Sequence, residues 1–496
     1  MIKKKVILSL FIVLYTFRFV TAQNEKNTKE STNLDIQLLE QYTCPEWFRD
    51  AKFGIWSHWG PASIPGISNG FPQEMYQQDS PAYKWMLEHF GHPSQFGYKD
   101  VIESWKAEKF DPDALMAKYK AAGAKYFFAL ASHHDNFDCF DSPHHEWNSV
   151  KHGPKKDIVG MWREAAVKAG LRFGVSSHAD DRGWNYMYGA RLSDKTGPKA
   201  GVPYDGANPA NRALYNDIKE PKEKPSTVWY EEWLLRHLDL VDKYKPDALY
   251  FDGGVPHGEY GKKLVAHYLE ANRSQHGGKI EAVVNVKDNQ YVLDYERGAN
   301  TIISDKPWQD DTSLSGWFYV NNNPKYDMHS LPKDAATVIH TLADVVSKNG
   351  NLLINMPQRG DGSLYPECET VLDELAKWMP INGEAIFGTR PWLTFGEGPT
   401  QLPEAKHMNE LKKPLTWQDV RFTTKGDYLY VIVCGIPQGP LQIKALGRLG
   451  RSFSTIELLG SKEKVQYQRA WEGLTIMPAK EWPCQHAVVY KIRFSK

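Results

Sequence analysis

Cysteine is scarce: Cys44, Cys139, Cys368, Cys434 and Cys484 are the only five in 496 residues, and no two of them form a C-x-x-C pair. An odd number cannot all pair within one chain, and the spacing suits no zinc cage. Neither a disulfide framework nor a cysteine-held metal is therefore expected. Net charge is absent too, since 60 basic residues balance 60 acidic ones, and a nucleic-acid partner, which would need a basic face, is not expected. Beyond the extreme N-terminus no apolar run approaches the length of a bilayer-crossing helix, so no membrane span is expected. No internal repeat or low-complexity tract is present, which excludes a repeat array.

What is present begins with Met1-Ile2-Lys3-Lys4-Lys5, an apolar stretch over 6–15 and the small-residue pattern Val20-Thr21-Ala22. This predicts a secretory signal peptide over 1–22 and an exported protein, periplasmic or extracellular. No cysteine follows the predicted cut, so no lipid anchor is expected. Without residues 1–22, which carry four basic and no acidic side chains, the formal charge falls from zero to −4. Residues 23–42 begin polar and predict a mobile segment.

From residue 43 to 392, short apolar runs alternate with amphipathic stretches. Strands are predicted at 53–56, 126–131, 172–176, 248–251, 282–286, 301–304 and 352–355, and helices at 112–122, 158–169, 229–243, 262–275 and 332–347. Such alternation calls for a parallel sheet, and its length favours closure. The expected fold is α/β, a (β/α)8-like TIM barrel catalytic domain followed over 393–496 by a C-terminal antiparallel β-sandwich, where the pattern changes to alternation such as Tyr428-Leu429-Tyr430-Val431-Ile432-Val433. Residues 183–226, rich in Gly, Pro and Lys, predict a long insertion above the barrel that shapes a pocket.

Chemistry-bearing side chains cluster at the predicted strand ends. Leu249-Tyr250-Phe251-Asp252-Gly253-Gly254 is a β-prone run that stops on a carboxylate. At the carboxyl end of a barrel strand, where active sites sit, Asp252 offers a nucleophile; a turn-capping role is the alternative. Ser57-His58-Trp59-Gly60, Gln73-Glu74-Met75-Tyr76, Ser132-His133-His134-Asp135-Asn136-Phe137 and Ser176-Ser177-His178-Ala179-Asp180-Asp181 add imidazoles and carboxylates. His133, His134, His178 and Asp252 could surround a divalent ion. Adjacent His133 and His134 are expected to point to opposite sides of a strand continuation, which favours hydrogen bonding over metal binding, so no metal and no cofactor is expected. Aromatic residues form 13% of the chain, with 17 Trp; rings stacked on sugar faces account for that excess, with ordinary core use as the alternative.

Taken together, these segments resemble the retaining α-L-fucosidases of glycoside hydrolase family 29. The likeness rests on residues 53–60, on His133-His134-Asp135-Asn136-Phe137 with Asp157-Ile158-Val159 downstream, on 249–252, on 308–319, and on Asn349-Gly350-Asn351-Leu352-Leu353-Ile354-Asn355, and it spans about 43 to 392. By this resemblance Asp252 takes the place of the nucleophile, and His58, His133 and His134 match positions that hold sugar hydroxyls. Tyr250 stands where members often have Trp, Met75 replaces a common Trp, and Lys287 sits near where an Arg is often found. Retaining chemistry needs a second carboxyl about 5–5.5 Å from the first. Glu296, 44 residues after Asp252, is the expected acid/base, with Glu74 as its rival. Many relatives carry Glu in the motif seen here as Lys306-Pro307-Trp308-Gln309, and Gln309 cannot deliver a proton.

The expected substrate-binding set is thus His58, Trp59, Glu74, His133, His134, His178, Tyr250, Lys287 and Trp308. The resemblance implies a secreted exo-acting hydrolase that releases terminal α-L-fucose, or the related α-L-galactose, from an oligosaccharide or glycoconjugate. The other readings are an inactive carbohydrate-binding protein and a metal-dependent barrel hydrolase. Oligomeric state is left open.

Overall fold

The computed structural model describes residues 38–298, 300–323, 325, 332–401, 407–410, 414–447 and 452–495. The signal peptide expected over 1–22 lies outside the described residues, as do 23–37 of the segment that follows it.

Eight parallel strands close on themselves in chain order: β1 Phe53–Ser57, β2 Tyr126–Ser132, β3 Arg172–Ser177, β4 Ala248–Phe251, β5 Val283–Val286, β6 Val292–Glu296, β7 Trp308–Ser313 and β8 Gly350–Asn355, with β8 returning to β1. Six helices line this cycle: α1 Pro112–Ala121, α2 Ile158–Ala169, α3 Thr227–Tyr244, α4 Glu259–Gln275, α5 Ala335–Ser347 and α6 Pro366–Asn382. Local chemistry sets their ends. Asp157, Ser226 and Asp334 cap α2, α3 and α5 by accepting from the backbone N–H three residues on, and Gly170 closes α2 at a positive φ, as helix termini favour. Strands covered by helices outside and packed side chains inside are buried on both faces, which is why β1, β2, β4, β5 and β8 read as apolar runs.

Two strands escape that rule. The sequence predicts a strand at 301–304, but those residues form bends and irregular backbone, and the chain instead supplies β6 and β7. The reason lies in the interior. β7 is Trp-Gln-Asp-Asp-Thr-Ser, fully buried yet polar, because this side of the barrel is filled by a hydrogen-bonded network. Gln309 Nε2 donates to Asp294 Oδ1 at 2.8 Å, Tyr126 OH donates to Gln309 Oε1 at 3.0 Å, and Tyr250 OH donates to Asp311 Oδ2 at 2.6 Å. A hydrophobicity pattern cannot find a strand whose burial is satisfied by polar partners. Large rings pack beside this network, and a Cβ on Gly54 would lie 2.2 Å from the Tyr126 ring.

After α6, β9 Arg390–Glu397, β10 Val420–Lys425, β11 Tyr428–Val433, β13 Phe453–Leu458 and β16 Val488–Phe494 form a sheet in the order β13-β16-β11-β10-β9. β12 Leu441–Ile443, β15 Gly473–Ile476 and β14 Tyr467–Ala470 form a second. All pairings are antiparallel, and Phe422, Val431, Ile443, Leu474 and Tyr490 share the core between the sheets. This is the expected C-terminal β-sandwich. It is fastened to the barrel by the buried pair Arg421 to Asp344, 2.6 Å apart, and by Trp378 Nε1 donating to the Ala487 carbonyl. No described helix is long and apolar enough to cross a membrane.

Candidate active site

A cavity of about 320 Å³ opens at the carboxyl ends of the barrel strands. Most of its polar side chains sit at or just beyond the carboxyl end of a strand. His58 follows β1, His133 and His134 follow β2, His178 follows β3, Asp252 follows β4, Lys287 follows β5, Glu296 ends β6 and Asp311 lies in β7. Trp56, Tyr250, Trp317 and Phe318 supply apolar walls, and Arg182 and Tyr186 reach in from the insertion after β3.

Asp252 is the electrostatic centre. Its Oδ1 lies 2.9 Å from Lys287 Nζ; its Oδ2 lies 2.7 Å from an Arg182 guanidinium nitrogen, 3.5 Å from His178 Nδ1 and 3.6 Å from His134 Nε2. Burial acts to raise its pKa, but the imidazoles of His134 and His178 and the Lys287 charge outweigh burial and hold the carboxyl well below the usual range. Lys287 also contacts Glu296 Oε2 at 2.5 Å and approaches Asp311 at 3.9 Å. Burial alone would lower its pKa; Asp311, Asp252, Asp294 and Glu296 raise it instead. Below it, burial and the nearness of a second carboxyl push Asp294 up, and burial pushes Asp311 up to about 6.

One ammonium thus touches both candidate carboxylates. The facing oxygens of Asp252 and Glu296 lie no farther apart than the two contacts laid end to end. That upper limit falls short of the about 6.5–9.5 Å that admits a water in inverting glycosidases and leaves only the closer spacing that retaining ones use.

The histidines divide into two sets. Burial lowers the pKa of His58, His133 and His178, so these imidazoles are neutral. His134 goes the other way: burial opposes its charge, yet Asp180 and Asp252 raise it to about 9. Both His133 and His134 line the cavity, contrary to the expected opposite orientation. β2 ends at Ser132 and the chain turns at once, with Asn136 at φ 59, so strand alternation does not extend to the pair.

Of the residues singled out from sequence, His58, His133, His178, His134, Tyr250, Asp252, Lys287 and Glu296 meet in this cavity. Three do not line it. Trp59 is buried against Trp105 and Phe110, its Nε1 donating to the Arg359 carbonyl. Trp308 begins β7, its Nε1 donating to the Lys348 carbonyl. Glu74 accepts from Ser68 Oγ at 2.5 Å and does not line the cavity, whereas its neighbours Asn69, Gly70 and Gln73 do. Gln309 is buried in the barrel interior. Sequence reasoning missed Arg182 and Tyr186, whose loop position carries no periodic signal, and Trp317, which lay unremarked inside the 308–319 segment.

Comparison with known proteins agrees with this geometry. The family model described as Alpha-L-fucosidase matches residues 19–384. Tissue alpha-L-fucosidase of Mus musculus is 27% identical over 92% of this chain and 94% of its own length, and the Alpha-L-fucosidase of Branchiostoma floridae is 25% identical over 92% and 94%. The crystal structure of Thermotoga maritima alpha-fucosidase in complex with fucose matches with a TM-score of 0.69 and 26% identity, covering 92% of this chain and 98% of that one. With a family match over most of its length, and a strand-end Asp that shares one lysine with a second carboxyl, the chain belongs to the alpha-L-fucosidase family of glycoside hydrolases.

Proposed function

We propose that the protein is an exported, exo-acting retaining glycosidase that releases terminal α-L-fucose from oligosaccharides or glycoconjugates, with Asp252 as nucleophile and Glu296 as acid/base. The observation that carries this is the shared Lys287 ammonium, which brings both carboxylates to one spot at the barrel mouth. In the first step an Asp252 oxygen bonds to the anomeric carbon while protonated Glu296 gives its proton to the departing glycosidic oxygen. Protonation of Glu296 ends its ion pair with Lys287, and the ammonium remains with Asp252 and Asp311. In the second step Glu296 takes a proton from water, the water oxygen bonds to the anomeric carbon, and Asp252 departs.

The remaining side chains bind and orient. Neutral His58, His133 and His178 suit donation to, or acceptance from, sugar hydroxyls, and Trp56, Trp317 and Phe318 offer apolar surface for ring carbons and the fucose methyl. Export rests on the basic and apolar pattern of residues 1–22. The test is proton NMR of an aryl α-L-fucoside during hydrolysis. Initial appearance of α-L-fucose is expected; initial β-L-fucose would contradict the two-step route.

A further inference from the structure

His58, His133 and His178 occupy equivalent places on adjacent strands, each being the residue after the last one of β1, β2 and β3. Their rings form a nearly equilateral set, with all three centroid separations equal to 5.0 Å. One ring nitrogen from each lies within 4.8 Å of those from the other two. His58 Nδ1, His133 Nδ1 and His178 Nε2 are buried without a hydrogen-bond partner. The arrangement is held from outside: the His58 backbone N–H donates to Asn355 Oδ1, the Phe318 ring packs on His58 and His133, and Asp252 contacts His178 Nδ1.

We propose that these three imidazoles form a binding site for a divalent ion of the zinc class, and that the bound ion closes the sugar pocket. Three nitrogens converging from rigid strand ends, with an open cavity for a fourth ligand, match the donor type and number that Zn²⁺ accepts at about 2.0–2.1 Å. A carboxylate on the far nitrogen of one imidazole, as Asp252 sits on His178, orients a ligating ring. Hard ions such as Mg²⁺ and Ca²⁺ require oxygen donors and are excluded by the same set. Metal binding here is an inhibitory event that withdraws the histidines from sugar. That second half rests on the sugar-binding role proposed above; the first half does not.

Calorimetry with the full chain, stripped with chelator and dialysed, tests both halves. ZnCl₂ is expected to bind one ion per chain with a Kd below about 1 mM, while MgCl₂ gives no binding. His133→Ala and His178→Ala should each weaken Zn²⁺ at least about tenfold, and His267→Ala, at an exposed surface position, should not. Because those variants could misfold, X-ray absorption of the zinc-loaded wild type provides a second readout, expected to show three imidazole nitrogens. Absence of binding at that concentration, binding untouched in both variants, or a ligand shell lacking three nitrogens overturns the site. Saturating L-fucose should weaken Zn²⁺, and Zn²⁺ should weaken L-fucose by the same factor. Histidine-dependent zinc binding indifferent to fucose would keep the metal site and overturn pocket closure; fucose binding without zinc binding would remove the metal site and leave the glycosidase reading standing.

Discussion

Lys287 Nζ lies 2.9 Å from Asp252 Oδ1, each at the carboxyl end of its own barrel strand. Together with His134 and His178, the contact keeps a carboxylate charged where burial works to neutralise it. Replacing Lys287 by Met removes a charge that depresses the Asp252 pKa, so that pKa must rise. In a profile of kcat/KM against pH, which reports groups of the free enzyme, the wild type should show no acidic limb from Asp252 above about pH 4. In Lys287→Met the acidic limb should move to higher pH. An unmoved limb would separate Lys287 from the nucleophile's ionisation.

Glu296→Gln should divide substrates by leaving group. Aglycones that need a proton should lose about 10²- to 10⁴-fold in kcat, whereas activated nitrophenyl leaving groups should lose far less in the first step. Steady-state rates on a natural disaccharide and on an activated aryl fucoside give the comparison. Equal losses on both would point to a structural role. Glu74→Gln, whose side chain turns to Ser68, should not reproduce the division.

His134 makes stability depend on pH in a definite direction. Its folded pKa is raised to about 9 by Asp180 and Asp252, against about 6.5 when unfolded. The stabilisation is therefore complete below the unfolded value and is lost as pH rises through the folded one, amounting to a few kcal/mol at most, roughly. Urea unfolding at about pH 6 and about pH 9 should show the wild type losing stability across that window. His134→Gln should be flatter; an equal slope in the variant would assign the dependence elsewhere.

The sugar preference follows from apolar walls. Trp56, Trp317 and Phe318 bound the cavity, and an apolar wall rejects an added hydroxyl only weakly, by about 10²-fold. An aryl α-L-galactoside, which is the fucoside with a hydroxyl on carbon 6, should be hydrolysed with kcat/KM within that factor. A loss of about 10⁴-fold or more would instead indicate a buried polar group left unpaired at that carbon.

How far the sequence is legible depends on what buries each element. β1, β2, β4 and β8 are apolar because both faces meet hydrocarbon, and Asp252 stands out as the polar residue at which such a run stops. β7 is invisible to the same criterion because Gln309, Asp310 and Asp311 are buried among polar groups. Trp59 and Trp308 show the converse error. They sit in informative motifs, yet both rings lie outside the cavity, since adjacent residues on a strand or its continuation do not share a direction. Arg182 meets Asp252 across 70 positions of sequence, and no local spacing encodes where a long loop returns.

The most direct measurement is mass spectrometry of the protein trapped with a fluorinated fucosyl reagent that forms the covalent intermediate quickly and releases it slowly. One fucosyl adduct per chain is expected, located after proteolysis on the peptide carrying Asp252 and absent in Asp252→Asn. An adduct on Glu296 or another residue, or an adduct that persists in Asp252→Asn, would contradict Asp252 as the nucleophile.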